Sequence, residues 1–291
     1  MLPKDVLTLL TGETAKDTGR SSTRVFVVAA FLSPRTRQLL AQRGAAYADR
    51  AGNFRLVLQK PAVFIETAAT EKNPEPDRRP LGSLKGPAAG RVVRALADFR
   101  PPYGIRELAD RADATPAAVS RVAGLLDREA ILARDEQGGI QSVDWIALLR
   151  RWTADYSFLR ANQVSYYLEP RGLAALKEKL RNCKVSYALT GSVVASEIAP
   201  VASPRLAVAF SEEPERLAEK LYLRQSETGS NVMLARPFDT VVFDRTSERD
   251  GLRFVSVSQV AADLLTGPGR SPEEAESLIE WMKEHEDAWR A

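Results

Sequence analysis

Thr115-Pro116-Ala117-Ala118-Val119-Ser120-Arg121 puts a helix opener, several small residues and one arginine into a short stretch. Thr115 can cap a helix, and Pro116 suits its first position. A helix enters the major groove of duplex DNA only if its leading face is slim. An arginine on that face can offer two donors to guanine O6 and N7. Thr115, Ala118, Ser120 and Arg121 are therefore expected to face base edges. Val119, Val122 and Leu126 are expected to be buried. Tyr103, Arg106 and Arg134 are expected to meet backbone phosphate, which fixes register without reading sequence.

Other chemistries have few residues to work with. One Cys (Cys183) and one His (His285) leave too few ligands for a Cys/His zinc site and no partner for an internal disulfide. His285 sits among Lys283, Glu284, Glu286 and Asp287, which reads as a solvated helix end rather than a catalytic base. No cofactor or metal is expected. The longest apolar run, Val25 to Leu32, is too short to span a bilayer, and the start lacks a signal-peptide pattern. A cytoplasmic protein with no membrane partner is the expectation.

A recognition face works only on a scaffold. Gly90–Phe99 reads as a first helix with Val92, Val93 and Leu96 inward, ended by Arg100-Pro101-Pro102-Tyr103-Gly104. Ile105–Ala112 reads as a second helix, Asp113-Ala114 as a turn, and Thr115 opens the third. Ile131–Arg134 and Ile140–Val143 read as strands around Glu136-Gln137-Gly138-Gly139. Helix, helix, turn, helix and hairpin make a winged helix–turn–helix. Charge neither supports nor opposes this reading. The net charge is +3, and Lys85 to Arg151 holds eleven Lys and Arg against nine Asp and Glu.

The remaining chain suggests a multidomain α/β and α+β protein. Residues 1–67 read as a small α/β accessory domain, with a helix opened by Ser33-Pro34 and short strands after it. Residues 68–87, rich in Pro and Arg, read as a linker. The winged helix takes 88–151. A helical connector follows over 152–184, interrupted at Glu169-Pro170-Arg171-Gly172. Residues 185–291 alternate expected strands (185–189, 206–210, 232–234, 241–243, 254–257) with helices. The last of these helices opens with Ser271 as cap and Glu274 completing a capping box.

Tyr187-Ala188-Leu189-Thr190-Gly191-Ser192 places Gly-Ser after an expected strand, and Ser258-Gln259 with Asp263-Leu264-Leu265 comes later. With a winged helix upstream, the arrangement resembles the AbiEi-type antitoxins of type IV toxin–antitoxin systems and related winged-helix regulators, over about Ala88 to Met282. The resemblance implies a C-terminal domain similar to a nucleotidyltransferase fold, autoregulation of an operon, and a separately encoded toxin as protein partner. An active nucleotidyltransferase needs carboxylates on the next strand to hold two Mg²⁺ ions. Leu206-Ala207-Val208-Ala209-Phe210 has none, and Glu212 and Glu213 follow it, so an inactive domain is expected. Gly191-Ser192 by itself reads as a tight turn with a capping serine.

The function expected is sequence-specific binding of double-stranded DNA by a transcriptional regulator that is not an enzyme. The oligomeric state is left open by the sequence, a homodimer being one option because operators are often two-fold symmetric. One alternative is a Mg²⁺-dependent nuclease in the N-terminal domain, using Asp49, Gln59-Lys60 and Glu66. Leu58-Gln59-Lys60 lacks the carboxylate such a site requires, and Asp49 reads as a hairpin residue. The other alternative is a protein-interaction scaffold.

Overall fold

A computed structural model describes residues 3–14, 25–71 and 82–291. Part of the expected linker, 72–81, and residues 15–24 lie outside the described residues. The chain is a mixed α and β protein with several sheets. The described residues fall into two compact units, one within Met1–Gly82 and Ala123–Arg134, the other within Ser83–Val122 and Asp135–Ala291.

The first unit begins with α1 (Pro3–Thr14), β1 (Phe26–Ala29), α2 (Pro34–Gln42), β2 (Ala46–Asp49), β3 (Phe54–Gln59) and β4 (Ala62–Thr67). The strands lie in sequence order, β1 parallel to β2 and the rest antiparallel. Ser33 caps α2 by accepting from the Thr36 amide at 3.2 Å, with Pro34 in the first turn, as its sequence predicts. Val6 and Leu10 of α1 and Leu40 of α2 join Val27 and Tyr47 in one buried cluster.

Next come α3 (Pro87–Asp98), α4 (Ile105–Arg111), α5 (Pro116–Arg128), β5 (Leu132–Arg134) and β6 (Ile140–Val143), the last two a two-stranded sheet. These elements follow the order read from sequence, with ends displaced by a few residues. Val92, Val93 and Leu96 of α3 are fully buried. Gly90 is required where α3 meets Phe238, because a Cβ there would stand 2.9 Å from the Phe238 ring.

The rest of the second unit runs α6 (Trp145–Thr153), α7 (Phe158–Ala161), β7 (Gln163–Leu168), α8 (Gly172–Arg181), β8 (Ala188–Thr190), α9 (Ser192–Ile198), β9 (Ala207–Phe210), α10 (Pro214–Lys220), β10 (Arg224–Gln225) and β11 (Val232–Arg236). It ends with a 3₁₀ turn (Thr240–Phe243), β12 (Ser247–Arg249), β13 (Leu252–Phe254), α11 (Val257–Leu265), α12 (Ser271–Glu284) and α13 (Glu286–Trp289). The mixed sheet has the order β10-β7-β11-β9-β8-β13-β12, with β11–β9 and β8–β13 parallel.

Three expectations need correction. The stretch 152–184 is not a purely helical connector. It contains β7, paired with β11 from Val232↔Tyr167 to Arg236↔Gln163, so it supplies a strand to the sheet. Val241–Phe243 is not a strand but a 3₁₀ turn, whose first free amide, Val241, is bound by the Asp239 carboxylate at 2.9 Å. The expected capping box at Ser271 does not form, because the Ser271 hydroxyl donates to the Pro268 carbonyl at 2.8 Å. Among the described residues, no helix is long and apolar enough to cross a membrane.

Candidate nucleic-acid interface

Thr115 is exposed, and its hydroxyl accepts from the Ala118 amide at 3.2 Å, capping α5. Along the helix, Ala117, Ser120 and Arg121 are exposed, while Val119 and Val122 are buried. Ala118 is only 4% exposed and cannot face a base as expected. It lies one turn before Val122, on the inward stripe, which is broader than the three residues assigned to it. Thr115, Ser120 and Arg121 stand on the exposed side of α5. No side chain of a described residue hydrogen-bonds or pairs with Arg121, so its donors are turned to solvent.

The residues assigned to phosphate separate into two kinds. Arg106, in the first turn of α4, is exposed and has no hydrogen bond or ion pair among the described residues. Tyr103 is instead 4% exposed, with a buried hydroxyl. Burial pushes its phenol pKa up to about 12. It is withdrawn from the phosphate set. Its backbone bridges to Ile140 in both directions, at 3.2 and 3.0 Å, and its ring carries the Arg111 guanidinium at 5.6 Å. Tyr103 thus anchors β6 beside α4. Arg111, which sequence reasoning passed over, stacks on Phe99 at 4.8 Å and pairs with Glu107 at 2.7 Å.

The turn before β6 is held by one carboxylate. Asp135 accepts from the amides of Gln137 (2.9 Å) and Gly139 (2.7 Å) and from the Gln141 side chain (2.7 Å). Gly138 has φ +86°, a conformation open chiefly to glycine. A cleft between this turn and the start of α4 is lined by Gly104, Arg106, Gln137 and Gly138.

In the first unit, Arg134 is half-buried, with Nη2 3.9 Å from where a Cβ on Gly124 would stand. The same unit holds the end of α5, since Lys4 pairs with Asp127 at 2.8 Å and Arg35 donates to the Ala130 carbonyl at 3.3 Å.

Two regions assigned to metal chemistry have other occupations. Asp49 accepts from the amides of Ala51, Asn53 and Leu32 at 3.0 Å each and from the Asn53 side chain at 2.8 Å. Burial works against its charge, but these hydrogen bonds outweigh burial and hold its pKa below the usual carboxylate value. Glu66 pairs with Arg55 at 2.7 Å. In the large sheet, Gly191 turns at φ +70° and itself stands at the cap position of α9. The Ser192 hydroxyl does not cap; it donates to the Glu274 carboxylate. The narrow cavity beside this turn is lined by Leu206, Val208 and Met233, where a metal cage would need carboxylates. Asp263 reaches the same cavity.

Asp263 belongs to a buried network that the sequence did not reveal. It accepts from Tyr156 Oη (2.7 Å), Thr190 Oγ1 (2.7 Å) and Gln259 Nε2 (2.8 Å). Arg94 of α3 continues it, donating to Gln259 (2.8 Å), Ser258 (3.2 Å), Ser256 (2.6 Å) and Asp98 (2.9 Å). Arg94 also donates to the carbonyls of Val241 (3.1 Å) and Asp244 (3.3 Å). Burial raises the Asp263 pKa to about 6 against the three donors that lower it. Ser258, Gln259 and Asp263 are the motif residues noted from sequence; the first two bind α11 to α3, and Asp263 ties α11 to Tyr156 and to Thr190 of β8. Compared with protein-family models, curated proteins and solved structures, the chain matches none of them.

Proposed function

We propose that the chain is a sequence-specific regulator that binds double-stranded DNA through a winged helix–turn–helix made of α3, α4, α5 and the β5–β6 hairpin. The observation that carries this reading is the exposed start of α5. Thr115 caps it, Ala117 and Ser120 keep it slim, and Arg121 offers donors that no described residue uses. Thr115, Ser120 and Arg121 face base edges in the major groove. Arg106 contacts phosphate. The Asp135 turn keeps the wing rigid, with its carboxylate already hydrogen-bonded to three donors.

The C-terminal domain, in this reading, keeps a nucleotidyltransferase-like shape without metal chemistry, supported by the apolar lining at Leu206, Val208 and Met233. The protein acts in the cytoplasm, binds no cofactor and catalyses no reaction. An autoregulating antitoxin with a toxin partner is the specific role that the residue resemblance supports.

Selection of bound duplexes from a random pool, followed by titration at two salt concentrations, tests the reading. A preferred site should emerge, and affinity should fall steeply as salt rises because phosphate contacts release counterions. Absence of any enriched sequence, together with salt-insensitive binding, would refute it.

A further inference from the structure

We infer that a cavity in the second unit, bounded by the start of α3, the end of α6 and α7, binds a small organic anion built on an aromatic ring. The cavity has a volume of about 420 Å³, within the range of small-molecule sites. Trp152, Tyr156 and Phe238 supply its aromatic wall. The Trp152 and Tyr156 rings stack at 4.7 Å, and Phe238 tilts against Tyr156 at 5.5 Å. That packing buries Trp152 and Tyr156, so the half-buried Phe238 presents the accessible ring.

Charge decides what the cavity accepts. Lys85 and Arg160 line it, are exposed, and make no side-chain hydrogen bond or ion pair with any described residue. Unpaired surface cations are common, but these two converge on one concave, aromatic-walled space. The lining also holds one carboxylate, Asp155, which is already committed. It accepts from the Leu84 amide at 2.8 Å and pairs with Arg151 at 3.0 Å. Burial opposes its charge, but these partners outweigh burial and hold its pKa below the usual carboxylate value. A cationic ligand would meet two like charges and no free carboxylate. An anion meets two uncommitted donors, and guanidinium and ammonium groups both suit a carboxylate. The Phe238 ring favours a planar, aromatic body behind that carboxylate.

An occupant of this cavity touches the ring against which α3 is seated at Gly90. The residue after Phe238, Asp239, accepts from Arg91 Nε at 2.9 Å. Arg91 Nη1 in turn donates to the Asp113 carbonyl at 2.9 Å, in the turn before α5. The ligand is therefore an effector that acts on the presentation of Arg121 through Phe238, Asp239, Arg91 and Asp113, a role that rests on the DNA-binding reading. Binding in the cavity does not depend on that reading.

Calorimetric titration of the full chain with 1-naphthoate, without DNA, tests the site. A dissociation constant below about 1 mM is expected. Naphthalene-1-methanol, which has the ring without the charge, should bind at least roughly tenfold more weakly, and so should acetate, which has the charge without the ring. Lys85→Glu combined with Arg160→Glu, both at exposed positions, should weaken naphthoate by roughly tenfold or more with an unchanged thermal melt. The milder pair Lys85→Gln and Arg160→Gln should shift affinity in the same direction. Absence of saturable binding up to roughly 5 mM naphthoate would overturn the site. Equal affinity for the uncharged alcohol, or an affinity that neither pair of substitutions changes, would do the same. Titration of the selected duplex with and without saturating naphthoate then tests the effector role, and a change in duplex affinity of roughly fivefold or more is expected. Unchanged duplex affinity would overturn the link through Arg91. A chain that binds naphthoate but selects no duplex would refute the DNA reading, and the effector role with it, while the site stands.

Discussion

Arg94 and Arg121 stand in the same compact unit and differ in almost every respect. Arg94 is 1% exposed and donates to six acceptors, including Asp98, Gln259 and Ser256. Arg121 is exposed and donates to none among the described residues. One guanidinium is committed to holding α3 against α11, and the other is left available. Buried charge must be satisfied internally or it destabilises the fold, whereas an exposed arginine costs little to keep unpaired. The contrast gives Arg94 an architectural role and leaves Arg121 free for the recognition proposed above, and each can be tested.

The largest effect is expected from Arg94→Met. It removes one partner of a buried pair and leaves Asp98 uncompensated, so the chain should lose about 3–5 kcal/mol of stability. Urea unfolding measures this, and a loss under ~1 kcal/mol would mean that the network is not holding the helices together.

Asp263 gives a second, pH-dependent readout of the same region. It ionises near pH 3.9 in an unfolded chain and at about 6 in the folded one. The folded state therefore favours the neutral acid. Stability from this group is fully present below pH ~4 and lost as pH rises to about 6, by about 3 kcal/mol. Asp155 and Glu169, whose pKa values are lowered, act in the opposite sense and lose their contribution as pH falls. The informative quantity is therefore the difference between wild type and Asp263→Asn in urea melts from pH 4 to 7. It should change by that amount, and a constant difference would remove Asp263 from the account.

On the exposed side, Arg121→Ala should weaken the preferred duplex by about 1–3 kcal/mol and relax preference at one base pair. Its stability should stay within about 0.5 kcal/mol of wild type. Equal affinity of variant and wild type for the best site would break the comparison with Arg94. The smallest effect is expected from Arg106→Ala, a uniform weakening across sequences with the salt slope reduced by about 1. A sequence-dependent loss would move Arg106 from phosphate to base contact.

Local signals were legible where local physics decides. Thr115 caps α5, Ser33 caps α2 with Pro34 behind it, and Gly138 sits where the turn needs a positive φ. Signals that depend on distant neighbours were not. Tyr103 reads as a surface donor after two prolines, yet its pairing with Ile140 buries it. Ala118 is small enough for either side of a helix, so its type carries no direction. Gln163–Leu168 contains Val164, Tyr166 and Tyr167, which favour strand, but only pairing with β11 decides the matter. Arg94 and Asp98 read as ordinary helix-surface charges four residues apart. Their burial depends on serine hydroxyls about 160 positions away, between Arg94 and Ser258 or Asp98 and Ser258.

The position of β7 bears on any dissection of this protein. It covers one edge of β11, whose Val232, Met233 and Leu234 are almost fully buried. A fragment begun at residue 185 discards that cover and leaves an apolar edge strand with open amides and carbonyls, a template for aggregation. Fragments intended to isolate the C-terminal half should start before Trp145, so that the strand travels with the sheet it completes.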